Sequence, residues 1–70
     1  MGILMYVITS PVACKTIDDK YFTLVAGDKV AISHIEKGKQ VLVYKGMVMH
    51  CDVIDIKNKY RLGGFHWVKY

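Results

Sequence analysis

The 70-residue sequence has little of what marks a membrane-spanning or secreted protein. Its apolar runs are far shorter than the roughly 20 residues that cross a bilayer as a helix. The residues after Met1 lack the basic start of a secretion signal. With only two cysteines, Cys14 and Cys51, the chain has too few for the disulfide framework of a small secreted domain. We expect a cytoplasmic protein with reduced thiols and no membrane contact, with a single Cys14–Cys51 bond as the alternative.

The sequence also lacks the ligand spacing of a metal site. Zinc sites usually pair their ligands at short spacing, as in C-x₂-C or H-x₃-H. Among the three histidines, His34, His50 and His66, only His50 has a cysteine close by, the adjacent Cys51. Adjacent strand residues point to opposite faces of a sheet, so these two cannot share a metal or form a nucleophile–base pair. We expect no metal and no cofactor.

The acidic residues predict no catalytic pair either. Asp52 and Asp55 lie three positions apart in a predicted strand, which places them on opposite faces. Nucleophile-elbow and phosphate-loop motifs are absent from the sequence. We expect a protein that is not an enzyme; the remaining catalytic alternative is a nuclease that uses His66 with Lys59 or Arg61.

What the chain has in excess is apolar residues. They make up 53% of the sequence, above the roughly 45–50% of globular proteins. This composition excludes a disordered chain, and it exceeds what a domain of this length hides easily. A homodimer or an apolar binding surface would cover the surplus.

The apolar pattern is that of short strands in one domain, residues 1–70. Turn signals recur every 8–12 residues or so, which is typical of a small β-sandwich or barrel. The glycine, asparagine and aspartate at these points supply the backbone conformations of tight turns, and Pro11 marks a strand end. The predicted strands are 3–9, 12–17, 21–26, 29–35, 40–45, 47–56, 59–62 and 65–69, of which some are expected to fuse. The predicted fold is all-β: a small antiparallel barrel or rolled sheet, Src-homology-3-like.

One segment resembles a known motif. The residues from Gly27-Asp28 to Lys37-Gly38-Lys39 resemble the KOW motif of ribosomal proteins and transcription-elongation factors, which lies on small Src-homology-3-like barrels. The resemblance implies an entering turn at Gly27-Asp28, core positions at Val30 and Ile32, loop cations at Lys37 and Lys39, and contact with RNA or protein. The segment departs from the family in lacking a glycine shortly after Lys39.

Charge and aromatic residues are concentrated in the second half of the chain. Residues 1–36 carry three lysines and four acidic residues, a net charge of −1, whereas residues 37–70 carry seven basic and two acidic residues, a net charge of +5. Aromatic rings beside cations serve both nucleic-acid binding and protein interfaces. The candidate partner-binding residues are Lys37, Lys39, Lys45, Lys57, Lys59, Tyr60, Arg61, Phe65, His66, Lys69 and Tyr70.

Two functions remain open at this stage. The apolar surplus and the single arginine favour a small binding protein that engages a protein partner, such as a phage or mobile-element inhibitor of a host enzyme or complex. The basic second half favours a module that binds RNA or DNA.

Overall fold

Seven strands and one helical turn form the part of the chain that the computed structural model describes, residues 2–67, with side chains described for residues 3–65. The strands are β1 (Gly2–Ile8), β2 (Val12–Thr16), β3 (Tyr21–Leu24), β4 (Lys29–Glu36), β5 (Lys39–Tyr44), β6 (Met47–Asp52) and β7 (Tyr60–Trp67), and the helical turn α1 spans Val53–Ile56. No helix among these residues is long and apolar enough to cross a membrane.

The strands form one antiparallel sheet in the order β3-β2-β6-β5-β4-β1-β7. The sheet rolls into a body of 31 × 23 × 19 Å, and its two end strands, β3 and β7, are not paired with each other. The predicted all-β fold, a rolled antiparallel sheet, is therefore confirmed, although the sheet does not close into a barrel.

One face of the rolled sheet forms the core. Its buried side chains come from β1 to β6 and from α1: Ile8, Val12, Cys14, Leu24, Val30, Leu42, Met49, Cys51 and Ile56. Along β2, for example, Val12 and Cys14 are buried while Ala13 between them is exposed, as the period-two geometry of a strand requires. Tyr60 of β7 packs against this core in an edge-on contact with Tyr6, with 5.3 Å between ring centroids.

Two of the predicted turns are two-residue hairpin loops. Lys37 and Gly38 join β4 to β5 with φ of 50° and 74°, and Lys45 and Gly46 join β5 to β6 with φ of 47° and 80°. Positive φ at both central residues is the conformation whose twist matches that of paired strands. The turn predictions at these positions are confirmed.

The predicted strand 47–56 was too long. The chain leaves the sheet after Asp52 and makes the helical turn α1. The alternation of side chains between the two faces of a strand therefore stops before Asp55. Both carboxylates line one surface depression instead of lying on opposite faces. The burial of Ile56 explains the turn, because the helical path brings this side chain under the sheet.

The predicted turn at Gly63-Gly64 was wrong, and the strands on either side of it fuse into β7. The register against β1 runs from Met5 opposite Gly64 to Tyr6 opposite Leu62, which leaves Gly63 as the extra residue of a β-bulge. A Cβ at Gly63 would lie 2.8 Å from Val7 Cγ2, so only glycine fits at this close approach.

Candidate functional site

The helical turn α1 builds an apolar surface at one end of the rolled sheet. Val53 begins the turn, and its backbone N–H donates to the carbonyl oxygen of Gly38 over 3.4 Å, which ties α1 to the β4–β5 hairpin. The Lys57 N–H donates to the Val53 carbonyl oxygen over 3.1 Å and closes the turn. This arrangement leaves Ile54 pointing outward beside the hairpin. We call Ile35, Val53, Ile54 and Lys57 the α1-end surface.

Two depressions meet on the α1-end surface. One, of about 340 Å³, is lined by Ile35 and has Gln40 and Tyr60 in its wall, and the other, of about 500 Å³, is lined by Ile54. Val53 and Lys57 line both. The Ile35 residue is 60% exposed and the Ile54 residue is 79% exposed. Two large aliphatic side chains are therefore open to solvent beside the connected depressions. The site offers apolar contact and one exposed cation.

Several predicted site residues fall at or near this end. Lys57 is exposed and belongs to the α1-end surface, and Lys37 is exposed on the β4–β5 hairpin. Lys59 is half-buried in the turn that leads to β7, where its carbonyl oxygen accepts from the Thr9 N–H over 2.8 Å. Tyr60 contributes to the wall of one depression, but its ring packs on Tyr6, so most of its surface belongs to the core.

Lys39 is not the loop cation that the resemblance implies. It begins β5, stands opposite Asp52 in the sheet and donates to the Asp52 carboxylate. This hydrogen bond raises the pKa of Lys39 and lowers the pKa of Asp52, because each group stabilises the charge of the other. The carboxylate that borders the α1-end surface is thereby neutralised by a cation within the protein.

The predicted interleaving of aromatic and basic residues is divided between two faces of β7. Tyr60 and Phe65 stand opposite Ile8 and Leu4, on the core side of the strand, whereas Arg61 stands opposite Val7, on the outer side. Phe65 is nevertheless 77% exposed. The arginine and these rings therefore do not form one shared surface, as a platform for stacked bases would require.

Arg61 belongs instead to a row of cations on the outer face. Val7 stands opposite both Arg61 of β7 and Lys29 of β4, so the two cations flank one apolar residue. Lys45 lines a depression together with Lys29, and its ammonium lies 5.4 Å from the Tyr44 ring centroid. Asp28, which lines the same depression, accepts a hydrogen bond from the Val25 N–H.

The remaining predictions concern residues outside the described part of the chain, a metal site, and the His50–Cys51 pair. Lys69 and Tyr70 lie outside the described residues, as do the side chains of His66 and Trp67. Within the described residues, no group of three or more histidine, cysteine, aspartate or glutamate side chains could hold a metal ion. His50 and Cys51 point to opposite faces of the sheet, as predicted. His50 is half-buried and points outward, whereas Cys51 is buried and points inward.

Sequence analysis did not identify Ile35, Val53 and Ile54 as site residues. The stretch Val53-Ile54-Asp55-Ile56 continues the β-branched pattern of β6, and nothing local distinguishes it from a strand. The surface arises only because the chain turns at Val53.

The comparisons with protein-family models, with curated proteins and with solved structures find no match to this chain. The resemblance of residues 27–39 to the KOW motif stays a prediction. Within this segment Gly27 is in a turn with φ of 98° and Val30 is fully buried.

Proposed function

We propose that this protein is a non-catalytic binding protein that engages a protein partner through the α1-end surface. The observation that carries the proposal is the exposure of Ile35 and Ile54 beside two connected depressions. Covering an isoleucine side chain stabilises a complex by about 2 kcal/mol. Two such anchors beside one cation suit an apolar segment of a protein with an acidic residue at its edge.

The charges around this surface favour apolar binding over phosphate binding. Lys57 is an exposed cation there, but Asp52 and Asp55 lie close by, and Lys39 is engaged with Asp52. A site held mainly by aliphatic contacts keeps its affinity when salt is raised, since screening acts on charges and not on buried apolar area. An inhibitor or adaptor that acts in the cytoplasm fits this chemistry.

A specific observation favours a second candidate, nucleic-acid binding through the outer face. Lys29, Lys45 and Arg61 lie on that face, with Lys29 and Arg61 separated by one intervening strand. Cations at this spacing suit a phosphate backbone, and binding of that kind weakens steeply with salt.

Affinity capture from a bacterial lysate, at low and high salt and with and without nuclease, distinguishes the two functions. The variant Ile35→Asp/Ile54→Asp removes the apolar anchors, and Ile17→Asp is the matched control, because Ile17 is 80% exposed on the β2–β3 connection. We expect a protein that is retained at high salt by wild type and by the Ile17 variant and lost by the double variant.

The nucleic-acid function predicts the opposite pattern. Material would then be recovered only at low salt, removed by nuclease and lost in Lys29→Glu/Arg61→Glu, while Ile35→Asp/Ile54→Asp would retain it. That result would reject the proposed protein-binding function and establish the alternative.

A further inference from the structure

Cys14 of β2 and Cys51 of β6 are neighbours on adjacent strands, one residue beyond the last pair in the register of these strands. In the antiparallel pair of β2 and β6, Lys15 stands opposite His50 and Thr16 opposite Met49, so the same register brings Cys14 opposite Cys51. Both side chains point into the core, where they are 2% and 4% exposed, and both are free thiols.

We propose that this cysteine pair is an oxidative modification site at which a hydroperoxide closes a Cys14–Cys51 disulfide. Opposed residues in antiparallel strands have Cα atoms about 4.5–5.5 Å apart, within the roughly 4.4–6.8 Å that a disulfide spans. Continuing the register by one residue would bring the two cysteines within reach of this bond. This inference does not depend on the proposed function.

The two thiols are assigned different roles because their interaction shifts their pKa values in opposite directions. The interaction between the two sulfur groups lowers the pKa of Cys51 and raises the pKa of Cys14. Burial and the nearby carboxylates of Asp55 and Asp52 act against the thiolate at Cys51, and Lys39 favours it. Cys51 is thus the nucleophile and Cys14 the thiol that resolves the oxidised intermediate.

A surface depression borders this pair. A depression of about 250 Å³ is lined by both cysteines, by their outward-facing neighbours Lys15 and His50, and by Asp55 of α1. It lies where the paired register of β2 with β6 ends. Hydrogen peroxide is small enough for such an opening, and Lys15 and His50 lie at its rim.

The reaction balances with peroxide as the oxidant. The Cys51 thiolate attacks one peroxide oxygen, the O–O bond breaks, and Cys51 becomes a sulfenic acid while hydroxide takes up a proton to form water. The Cys14 sulfur then attacks the Cys51 sulfur, the S–O bond breaks, and a second water leaves with the Cys14 proton. Two thiols are oxidised, and one peroxide is reduced to two waters.

The test begins with the reduced wild-type chain and about one equivalent of hydrogen peroxide. We expect a monomer whose mass is lower by two hydrogens, and peptide mapping that joins Cys14 to Cys51. The oxidised chain should melt at least about 5 °C above the reduced chain, because the bond closes a long loop and so restricts the unfolded chain. Disulfide-linked dimers, oxygen addition without a cross-link, no reaction, or a lower melting temperature would each overturn the proposal.

Two single variants test the assignment of roles. Cys14→Ser should trap a sulfenic acid at Cys51 that dimedone labels, whereas Cys51→Ser should react with peroxide at least about 10-fold more slowly. Equal labelling of both variants would reject Cys51 as the nucleophile. If a variant does not fold, as circular dichroism would reveal, the wild-type mass and melting temperatures still decide the proposal.

Discussion

The side-chain amide of Gln40 donates a 2.8 Å hydrogen bond to the backbone carbonyl oxygen of Ser33. Gln40 is 6% exposed, and its amide nitrogen also lies 3.2 Å from the His34 carbonyl oxygen and 2.9 Å from that of Val41. The register of β4 against β5 shifts between Ile32 and Ile35, so Ser33 and His34 form a bulge. A buried polar side chain thus satisfies carbonyl groups that the sheet leaves unpaired there.

Replacing Gln40 should therefore destabilise the fold although the new residue is apolar. We expect Gln40→Leu to lower the free energy of unfolding by about 1–3 kcal/mol, since it removes the donor from buried carbonyl groups. Urea denaturation measures the change. Thr23→Val, at an exposed position of β3, is the control and should have little effect. An unchanged Gln40→Leu stability would refute this role of the amide.

The Lys39–Asp52 pair should make the stability depend on pH in the acid range. The folded-state pKa of Asp52 lies below its ordinary value of 3.8, so the folded protein binds fewer protons there than the unfolded chain. The contribution is complete above about pH 4 and is lost as the pH falls through the lowered pKa. We expect the free energy of unfolding of Asp52→Asn, measured by urea titration, to fall less than that of the wild type between about pH 6 and about pH 2.

Asp19→Asn is the control for this pH series. It makes the same change of formal charge in the β2–β3 turn, away from Lys39. The control should follow the wild-type profile, and a wild-type profile in Asp52→Asn would show that the pair does not contribute.

The bulge of β7 predicts different costs for alanine at two adjacent glycines. At Gly63 a Cβ would meet Val7 Cγ2 at 2.8 Å and the Met5 carbonyl oxygen at 3.3 Å, so we expect a loss of about 1–3 kcal/mol from overpacking. At Gly64 nothing lies within 4 Å, but φ is +102°, and the loss comes from backbone strain alone, about 1–2 kcal/mol. Thermal melts of Gly63→Ala and Gly64→Ala measure the two losses.

A second substitution separates the two causes at this bulge. Adding Val7→Ala should recover part of the loss in Gly63→Ala, because it removes the clashing methyl group, and none of the loss in Gly64→Ala. Equal recovery in both backgrounds would contradict the steric explanation.

The two isoleucines of α1 should differ in how much they contribute to stability. Ile56 is 2% exposed, so Ile56→Ala should cost about 2–5 kcal/mol, while Ile54 is 79% exposed, and Ile54→Ala should stay within about 0.5 kcal/mol of wild type. Chemical denaturation of the two variants checks the helical path of α1. Equal losses would indicate that residues 53–56 continue β6 as a strand.

Most of the strands and turns could be predicted because their causes are local. Lys37-Gly38 and Lys45-Gly46 adopt the positive φ that short hairpins require, and the segment between them, residues 39–44, is rich in β-branched and aromatic residues. The last two predicted strands fuse because a glycine pair serves a bulge as readily as a turn. Only the pairing with β1 distinguishes these two uses.

The candidate site was much less predictable than the fold. Lys57 was predicted from its positive charge. Isoleucine is a residue type that is usually buried, so the sequence does not show that Ile35 and Ile54 are exposed. Lys39 looks like a free cation in the sequence, and its partner Asp52 lies on a different strand. Arg61 and Phe65 look like one patch, and the bulge and the pleat assign them to different faces.

The sequence by itself determined an all-β chain, the position of its hairpins and the excess of apolar residues, because backbone conformation and side-chain alternation depend on near neighbours. The tertiary structure alone decided which apolar residues remain exposed, which cation is neutralised and that Cys14 meets Cys51. These properties depend on strand order, register and the turn at Val53, which bring together residues that are far apart in the chain.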